Sequence, residues 1–370
     1  MKVPAFDLSR AVHRIEGRVL ERWQRLLART AFVGGGEVEE FERAFADYLQ
    51  VGGCVGVANG TDALVLALRA LDLKPRDEVI VPAFSFIATA AAVVLAGGRP
   101  VFADVEPETL NLDLEAVADR LGRSTVGLIG VHLYGRPFDL EAARTLCERR
   151  GLWLLEDAAQ AHGARWAGRG VGGFGRLATW SFYPSKNLGC FGDGGAVTGN
   201  DTALLERVRR LANHGRAGQT HHLEVGTNSR LDALQAAVLN CRLPNLEADN
   251  ERRRQVAARY RQELEGVGDL LFLRDPDQAE SVYHQMTVRT PRRDELKSHL
   301  ARLGIATTVH YPESLHRQPA FERFALAGDG LPVASAAARE VLCLPMFPEI
   351  TDREVEEVCA GVRGFYGLAA

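Results

Sequence analysis

One lysine stands in a segment whose composition suits a nucleophilic amine. The segment LATWSFYPSKNLGCFGDGGAV, residues 177–197, places Lys186 between an aromatic strand and a glycine-rich return. Apolar flanks remove water from the amine and lower its pKa, so that the neutral form can attack a carbonyl carbon. Four glycines nearby let the backbone approach a flat ligand closely. The flanks are Phe182, Tyr183, Leu188 and Phe191, and the glycines are Gly189, Gly192, Gly194 and Gly195.

A carboxylate follows an apolar strand in GLWLLEDAAQAHGA, residues 151–164. Asp157 stands where that strand ends, and open α/β sheets bind their ligands at the carboxyl ends of strands. A carboxylate in that position can keep a pyridinium nitrogen protonated, which makes the ring an electron sink. The segment alone leaves open the alternative that Asp157 only caps a turn or a helix.

The segment VGVANGTDALVLALRAL, residues 55–71, contains a short strand that ends just before a helix begins. Unpaired amides and the positive end of the helix dipole suit a phosphate, which Gly60 and Thr61 would hold. Ser181 can add a hydroxyl to the same phosphate. The alternative is that Thr61 or Asp62 is an ordinary helix cap. Together, the three segments require a ligand with a phosphate, a ring nitrogen and an aldehyde, and pyridoxal phosphate has all three.

An α/β sheet with mainly parallel strands is expected to position these side chains. Helix-like and strand-like segments alternate from residue 37 to about 200. Continuous apolar runs such as LWLL and VGLIGV indicate strands that are covered on both faces. The predicted strands lie at residues 54–58, 78–82, 100–104, 126–131, 152–155, 177–183 and 195–198.

The pattern becomes helical after residue 228, and Pro244 is expected to split that helix because proline lacks a backbone donor. We place a domain boundary there, between a large domain of residues 1–244 and a small α+β domain of residues 245–370. The charged N-terminus is predicted to form an amphipathic helix. In the small domain, strands are predicted at 282–289 and 306–310, and helices around 293–303, 333–341 and 351–365.

The composition excludes several classes of protein. The 370 residues carry a net charge of -4 from 44 basic and 48 acidic side chains, without the basic cluster of a nucleic-acid-binding protein. The longest apolar run, residues 88–96, is shorter than the about 20 residues that cross a bilayer. The six cysteines are far apart, and the adjacent His221 and His222 are poorly placed to bind one ion, so no metal site is expected. We expect a soluble, cytoplasmic protein.

The order and spacing of five motifs resemble those of the DegT/DnrJ/StrS family of fold-type I sugar aminotransferases. The resemblance covers nearly the whole chain, and an ordered set of this kind is far more specific than one short motif. It implies a pyridoxal-phosphate transferase fold with a mainly parallel seven-stranded sheet between helices and a smaller C-terminal domain. The motifs are GTDA at 60–63, EDAAQAHGA at 156–164, SFYPSKNLGCFGDGG at 181–195, NSRLDALQAA at 228–237 and HYPESLHRQPA at 310–320.

The resemblance also implies roles for single residues. Lys186 would form the Schiff base with the cofactor and move protons, and Asp157 would pair with the ring nitrogen. Gln160 would bind the ring hydroxyl, and Phe86 would stack on the ring, with core packing as the alternative for Phe86. Asn228 would reach the phosphate from a neighbouring subunit, which implies a homodimer. The implied cofactor set is Gly60, Thr61, Asp62, Phe86, Asp157, Gln160, Ser181, Lys186 and Asn228, and the substrate set is Arg230, His310 and Tyr311.

In this family an amino acid, typically glutamate, converts the cofactor to pyridoxamine phosphate, and the amino group then passes to a keto sugar. We therefore expect an aminotransferase for a nucleotide-linked hexose, dTDP or UDP, with a 3-keto sugar favoured over a 4-keto sugar. For His310 and Tyr311 a structural role in the small domain stays open. A pyridoxamine-dependent sugar dehydratase is an alternative function, although such relatives replace the lysine that stands at 186. A non-catalytic regulatory protein of the same fold is another.

Overall fold

The central sheet has the strands that the apolar runs predict. A computed structural model describes residues 2–324 and 330–368. The strands are β1 (Gly53–Val57), β2 (Glu78–Pro82), β3 (Arg99–Ala103), β4 (Thr125–Val131), β5 (Trp153–Asp157), β6 (Leu177–Ser181) and β7 (Gly195–Gly199). Each begins and ends within two residues of its predicted bounds. Across the sheet they follow the order β1-β7-β6-β5-β4-β2-β3.

Strand β7 is antiparallel to both of its neighbours, β1 and β6, whereas the other pairings are parallel. A parallel neighbour requires a crossover connection, usually through a helix. The connection from β6 to β7, residues 182–194, contains no helix and returns directly. This return carries Lys186 and lies at the carboxyl ends of the parallel strands, where the sequence predicts the chemistry.

Helices cover both faces of the sheet, and a hydrophobic core lies on each face. Successive strand residues point to opposite faces, so Leu154 and Leu155 of β5 belong to different cores. The prediction of a sheet between helices is confirmed. The helices of the described residues are α1 (Leu8–His13), α2 (Glu16–Arg29), α3 (Gly36–Leu49), α4 (Gly60–Ala70), α5 (Ala88–Leu95), α6 (Leu114–Arg120), α7 (Leu140–Arg150), α8 (Thr202–Ala212), α9 (Ala233–Arg242), α10 (Leu246–Leu264), α11 (Arg293–Arg302), α12 (Pro332–Glu340) and α13 (Asp352–Phe365).

Proline splits the long helical segment after residue 228, as predicted. Helix α9 ends at Arg242, a single 3-10 turn covers Leu243–Asn245, and α10 begins at Leu246. Pro244 lies at the start of that turn, where the missing N–H costs least. The predicted N-terminal helix is divided in the structure into α1 and α2.

The C-terminal part contains an antiparallel sheet of three short strands. These are β8 (Leu271–Phe272), β9 (Met286–Arg289) and β10 (Val341–Leu344), with β9 in the centre. The strand predicted at 306–310 is wrong, because only Thr308 forms a bridge, to Cys343. Strand β10 was not predicted, since a fully buried run of four apolar residues next to a helix carries no periodicity that separates strand from helix.

A third hydrophobic core contains residues from both ends of the chain. Val3 packs with residues of α10, α11, α13 and the small sheet, and its backbone bonds Gly304 and Ala306. The domain division at residue 244 stays a prediction. Two-residue strands complete the fold, with Arg165–Trp166 paired to Arg169–Gly170 and Ala279–Glu280, and Arg216–Ala217 paired to His221–His222.

Two further features are absent from the part of the chain that the structure describes. Between residues 2–324 and 330–368, no helix is long and apolar enough to cross a membrane. Within the same ranges, no group of three or more histidine, cysteine or acidic residues could hold a metal ion. All six cysteine thiols are free and buried.

Candidate active site

A cavity of about 490 Å³ lies at the edge of the sheet where the parallel strands end. It brings together residues from segments that are far apart in the sequence. Asp62, Asn228 and Arg230 do not line it. The predicted site residues in its wall are Gly60, Thr61, Phe86, Asp157, Gln160, Ser181, Lys186, His310 and Tyr311.

Lys186 is held by a tight turn and by its neighbour in the sequence. The N–H of Lys186 donates to the carbonyl of Tyr183 at 2.8 Å. The next side chain, Asn187, is buried and donates to the Asn250 side chain at 2.9 Å and to the Val282 carbonyl at 3.0 Å. Burial lowers the pKa of Lys186 to about 8, and the charge of Asp157 opposes that shift. A substantial fraction of the amine is therefore neutral near pH 7 to 8.

Asp157 ends β5, and its carboxylate faces the same cavity. The Thr89 hydroxyl donates to Oδ2 at 2.8 Å, and the N–H of Ala159 donates to Oδ1 at 3.3 Å. Burial raises the pKa of Asp157, while these two bonds and the charge of Lys186 lower it. The second bond is the local turn contact that the sequence left open. Asp157 therefore makes the local turn contact and also lines the cavity.

The start of α4 forms a narrow cradle beside Ser181. The cap is Asn59, whose Oδ1 accepts from the N–H of Asp62 at 2.8 Å, so the alternative cap by Thr61 or Asp62 is wrong. A Cβ atom on Gly60 would lie 2.7 Å from Cβ of Ser181, and one on Gly195 would lie 2.5 Å from the Asn59 carbonyl carbon. Glycine at both positions lets α4, β6 and β7 meet. The free amides of the first turn point out of the helix start, as a phosphate site requires.

Gln160 connects the sheet to the loop that carries Tyr311. Its Oε1 accepts from the N–H of Tyr134 at 2.6 Å, and its Nε2 donates to the Tyr311 hydroxyl at 3.1 Å. The Tyr134 hydroxyl donates to the carbonyl of His310. These bonds hold the predicted substrate residues His310 and Tyr311 at the cavity. Both residues therefore have a structural role, whether or not they also contact the substrate. Burial and the charge of Lys186 lower the pKa of His310.

Phe86 does not pack in the core. Phe86 is 52% exposed, and its ring centroid lies 5.9 Å from that of Tyr311. The core-packing alternative is therefore wrong, and a large apolar face is left open to the cavity. An exposed ring at a cavity wall is suited to stack on a flat ligand.

Asn228 and Arg230 lie on the exposed surface, outside this cavity. Asn228 forms a bridge to Asn213, and Arg230 donates to the Asn213 side chain at 3.1 Å. Within one chain the structure does not bring them to Lys186. Their assignment to a site on a neighbouring subunit stays a prediction.

The cavity wall also contains residues that the sequence analysis does not predict. They come from loops whose positions depend on packing, so no local pattern marks them. Asn59 is the exception, because asparagine before a helix is a common cap. The additional residues include Asn59, Ser85, Asp193, His284 and Gln285.

This wall fits pyridoxal phosphate. It offers an amine with a lowered pKa, a buried carboxylate, an exposed aromatic face and a cradle at a helix start. The model of the DegT/DnrJ/EryC1/StrS aminotransferase family matches residues 13–363. The chain belongs to this family. This match confirms the predicted aminotransferase activity, and similar solved structures, one of them with bound pyridoxamine phosphate, confirm the predicted fold and cofactor.

Similar proteins cover almost the full chain. A dTDP-3-amino-3,4,6-trideoxy-alpha-D-glucose transaminase of Streptomyces venezuelae is 44% identical over 98% of this chain and 96% of its own length. A protein of Geobacillus stearothermophilus named pleiotropic regulatory protein is 41% identical over 99% of both chains. The crystal structure of DesV of S. venezuelae in complex with a ketimine intermediate has a TM-score of 0.97 and 43% identity, covering 100% of this chain and 99% of the other.

Proposed function

We propose that this aminotransferase moves an amino group from an amino acid, L-glutamate, to a nucleotide-linked keto sugar. The observation that carries the proposal is that Lys186 and Asp157 line the same cavity, where burial shifts the pKa of each and the charge of the other opposes that shift. Perturbed titratable groups that face each other in a cavity are typical of catalytic sites. Pyridoxal phosphate, when bound, supplies an aldehyde that takes up amino groups and a ring that withdraws electrons.

Four side chains and a helix start would hold that cofactor. The carboxylate of Asp157, which the Thr89 hydroxyl orients, would keep the ring nitrogen protonated. Gln160 would meet the ring hydroxyl, and Phe86 would cover one face of the ring. The amides of Gly60 and Thr61, with the Ser181 hydroxyl, would bind the phosphate.

Lys186 is the group that moves protons. Its pKa of about 8 lies close to neutral pH, where an amine can both accept and release a proton. The turn at Tyr183 and the bonds of Asn187 fix the backbone on which it stands. Lys186 would thus serve as base and acid at one position during both halves of the exchange.

The acceptor is a hexose bearing a ketone on a dTDP or UDP carrier. The cavity of about 490 Å³ presents many polar side chains, His310 and Tyr311 among them, which suit the hydroxyl groups of a sugar ring. A 3-keto position is favoured, and the name of the 44% identical Streptomyces relative, a 3-amino sugar transaminase, supports that choice. Arg230 would pair with the diphosphate, because its planar group binds two oxygens at once.

We further propose a homodimer with shared active sites and a cytoplasmic location. Asn228 and Arg230 are exposed and lie on a segment whose side chains Leu223 and Val225 are 63% and 83% exposed. Exposed apolar side chains beside predicted ligand residues favour contact with a second subunit. A single chain would leave the predicted cofactor and substrate sets incomplete.

The two alternative functions have less support. A dehydratase of this fold replaces the Schiff-base lysine, whereas Lys186 is present and lines the cavity. A relative at 41% identity is named a regulatory protein, but a purely regulatory chain has no need for a lysine with a lowered pKa facing a carboxylate.

Absorption in the visible range tests the proposal. The purified holoenzyme should show a visible absorption band from the cofactor bound to the Lys186 amine. Added L-glutamate should bleach that band and yield 2-oxoglutarate. Mass spectrometry of reactions with a panel of nucleotide keto sugars should then identify the aminated product. Lys186→Ala should still bind the cofactor, but without a covalent bond, and should lose turnover by about a thousandfold or more. Transamination by this variant at the wild-type rate would refute the assignment.

A further inference from the structure

The turn that follows β4, residues 132–136, packs directly against the cavity wall. We call it the β4 turn, and all five of its residues are buried. A Cβ atom on Gly135 would lie 2.9 Å from the Gln160 carbonyl oxygen and 3.0 Å from the backbone nitrogen of His284. The Gly135 carbonyl also accepts from the N–H of Val282 at 3.0 Å. The β4 turn therefore joins the segment after β5 to the segment that carries His284.

Tyr134 connects the β4 turn to two of the predicted site residues. Its N–H donates to Oε1 of Gln160 at 2.6 Å, and its hydroxyl donates to the carbonyl of His310. Tyr134 is 2% exposed, and burial raises its pKa well above the ordinary value, so the hydroxyl keeps the proton that it donates. One buried residue thus contacts a predicted cofactor ligand and the predicted substrate segment.

The backbone of Tyr134 lies in the left-handed region, with φ 60° and ψ 13°. Few residues other than glycine adopt this conformation, and it persists where the surrounding contacts fix it, commonly at active sites. A tyrosine that only fills a core can do so from ordinary strand or helix backbone. The conformation therefore indicates that Tyr134 serves the cavity as well as the core.

The N–H of Tyr134 decides which way the Gln160 amide points. Because an N–H only donates, the amide oxygen must face Tyr134, and the NH2 group is left for other partners. That group donates to the Tyr311 hydroxyl at 3.1 Å. Since Tyr311 follows His310 in the chain, the contacts form a closed circuit from Tyr134 through Gln160 and Tyr311 to His310 and back. A change at one member should displace the others.

We propose that Tyr134 is a positioning residue for the acceptor half of the reaction, in which its hydroxyl holds His310 and Tyr311 at the place where the keto sugar binds. The inference rests on the proposed function, because that function supplies the acceptor. The bond to Gln160 comes from the backbone of Tyr134, whereas the bond to His310 comes from its side chain. A substitution of the side chain therefore separates the acceptor side from the cofactor side.

Tyr134→Phe removes the hydroxyl and keeps the ring and the N–H. Cofactor binding, the visible band and the rate at which L-glutamate bleaches that band should stay as in wild type. Return of the band after a keto sugar is added to the glutamate-treated enzyme should slow about three- to tenfold, as the loss of one neutral hydrogen bond predicts. The KM for the keto sugar should rise by a similar factor.

Tyr260→Phe is the matched control. Tyr260 is fully buried in the third core, and its hydroxyl also donates to a backbone carbonyl, that of Pro345, at 3.0 Å. This variant should lose a similar amount of stability and leave both half-reactions unchanged. An acceptor half that is unchanged in Tyr134→Phe would overturn the proposal. Equal slowing of both halves in Tyr134→Phe, or of the acceptor half in Tyr260→Phe, would overturn it as well.

Hydrogen exchange tests the same contact without any reaction. In the holoenzyme, peptides that cover residues 308–315 should exchange about three- to tenfold faster in Tyr134→Phe than in wild type and Tyr260→Phe. Peptides that cover residues 157–160 should not change. If the wild type aminates no nucleotide keto sugar, the proposed function fails, and exchange still decides the inference. Faster exchange at 308–315 then upholds the role of the hydroxyl, and unchanged exchange in the folded variant overturns it.

Discussion

The hydroxyl of Thr89 is expected to set the pH range in which the cofactor binds. Thr89 is fully buried on α5 and donates to Oδ2 of Asp157 at 2.8 Å. Thr89→Val keeps the shape of the side chain and removes the donor. Asp157 would then keep only the longer bond from Ala159, at 3.3 Å. Because only the ionised carboxylate pairs with a protonated ring nitrogen, any change in the pKa of Asp157 alters cofactor affinity.

The magnitude follows from the bond that is lost. A hydrogen bond to a charged group contributes about 1.5–3 kcal/mol, and about 1.4 kcal/mol corresponds to one pKa unit. Burial already raises the pKa of Asp157, and the hydroxyl opposes that rise. Its removal should therefore raise the pKa by about one to two further units. The carboxylate would then take up a proton at a higher pH than in the wild type. As the pH falls, the variant should therefore lose cofactor affinity before the wild type does.

Titration of the apoprotein with pyridoxal phosphate between about pH 5.5 and 8.5 measures this effect. The acid limb of affinity against pH should move upward by about one to two units in Thr89→Val. Thr179→Val is the matched control, because its hydroxyl is equally buried but donates to the backbone carbonyl of Glu156 at 3.2 Å. Superimposable curves for Thr89→Val and wild type, or an equal displacement in Thr179→Val, would refute the reasoning.

Three other predictions concern the same site. Since Lys186 has a pKa of about 8, borohydride-trapped uptake of pyridoxal phosphate by the apoprotein should accelerate about tenfold from pH 6 to 7 and level off above about pH 8; a midpoint near 10 would contradict it. Gly60→Ala, whose Cβ would lie 2.7 Å from Ser181, should lower the free energy of unfolding by about 1–3 kcal/mol, whereas Gly17→Ala, with open space around it, should raise it by about 0.5–1 kcal/mol; denaturant titration compares the two. Asn228→Ala should weaken cofactor binding in a dimer, measured with sedimentation in parallel, and a fully active monomer would contradict the shared site.

Local patterns predict the parts of this fold that depend on local physics. The strands of the central sheet are short apolar runs between turn residues, and their bounds are recovered because a buried strand needs such a run. Pro244 predicts the break between α9 and α10 for an equally local reason, the missing N–H group. A short apolar run such as Val341–Leu344 is equally compatible with a helix and a strand. The local pattern does not distinguish them, and this strand was not predicted.

The sequence by itself determined the chemistry, because Lys186, Asp157 and the glycines around them suit one cofactor and lie in motifs of known order. The tertiary structure alone decided which groups tune that chemistry. The hydroxyl of Thr89 reaches Asp157 across 68 positions, and the ring of His284 reaches Asn187 across 97. Such contacts depend on how helices and loops pack over the sheet, and no spacing along the chain encodes them. Arg253 belongs to the same class, since only packing shows that its guanidinium group is buried and donates to the carbonyls of Tyr283 and Met346.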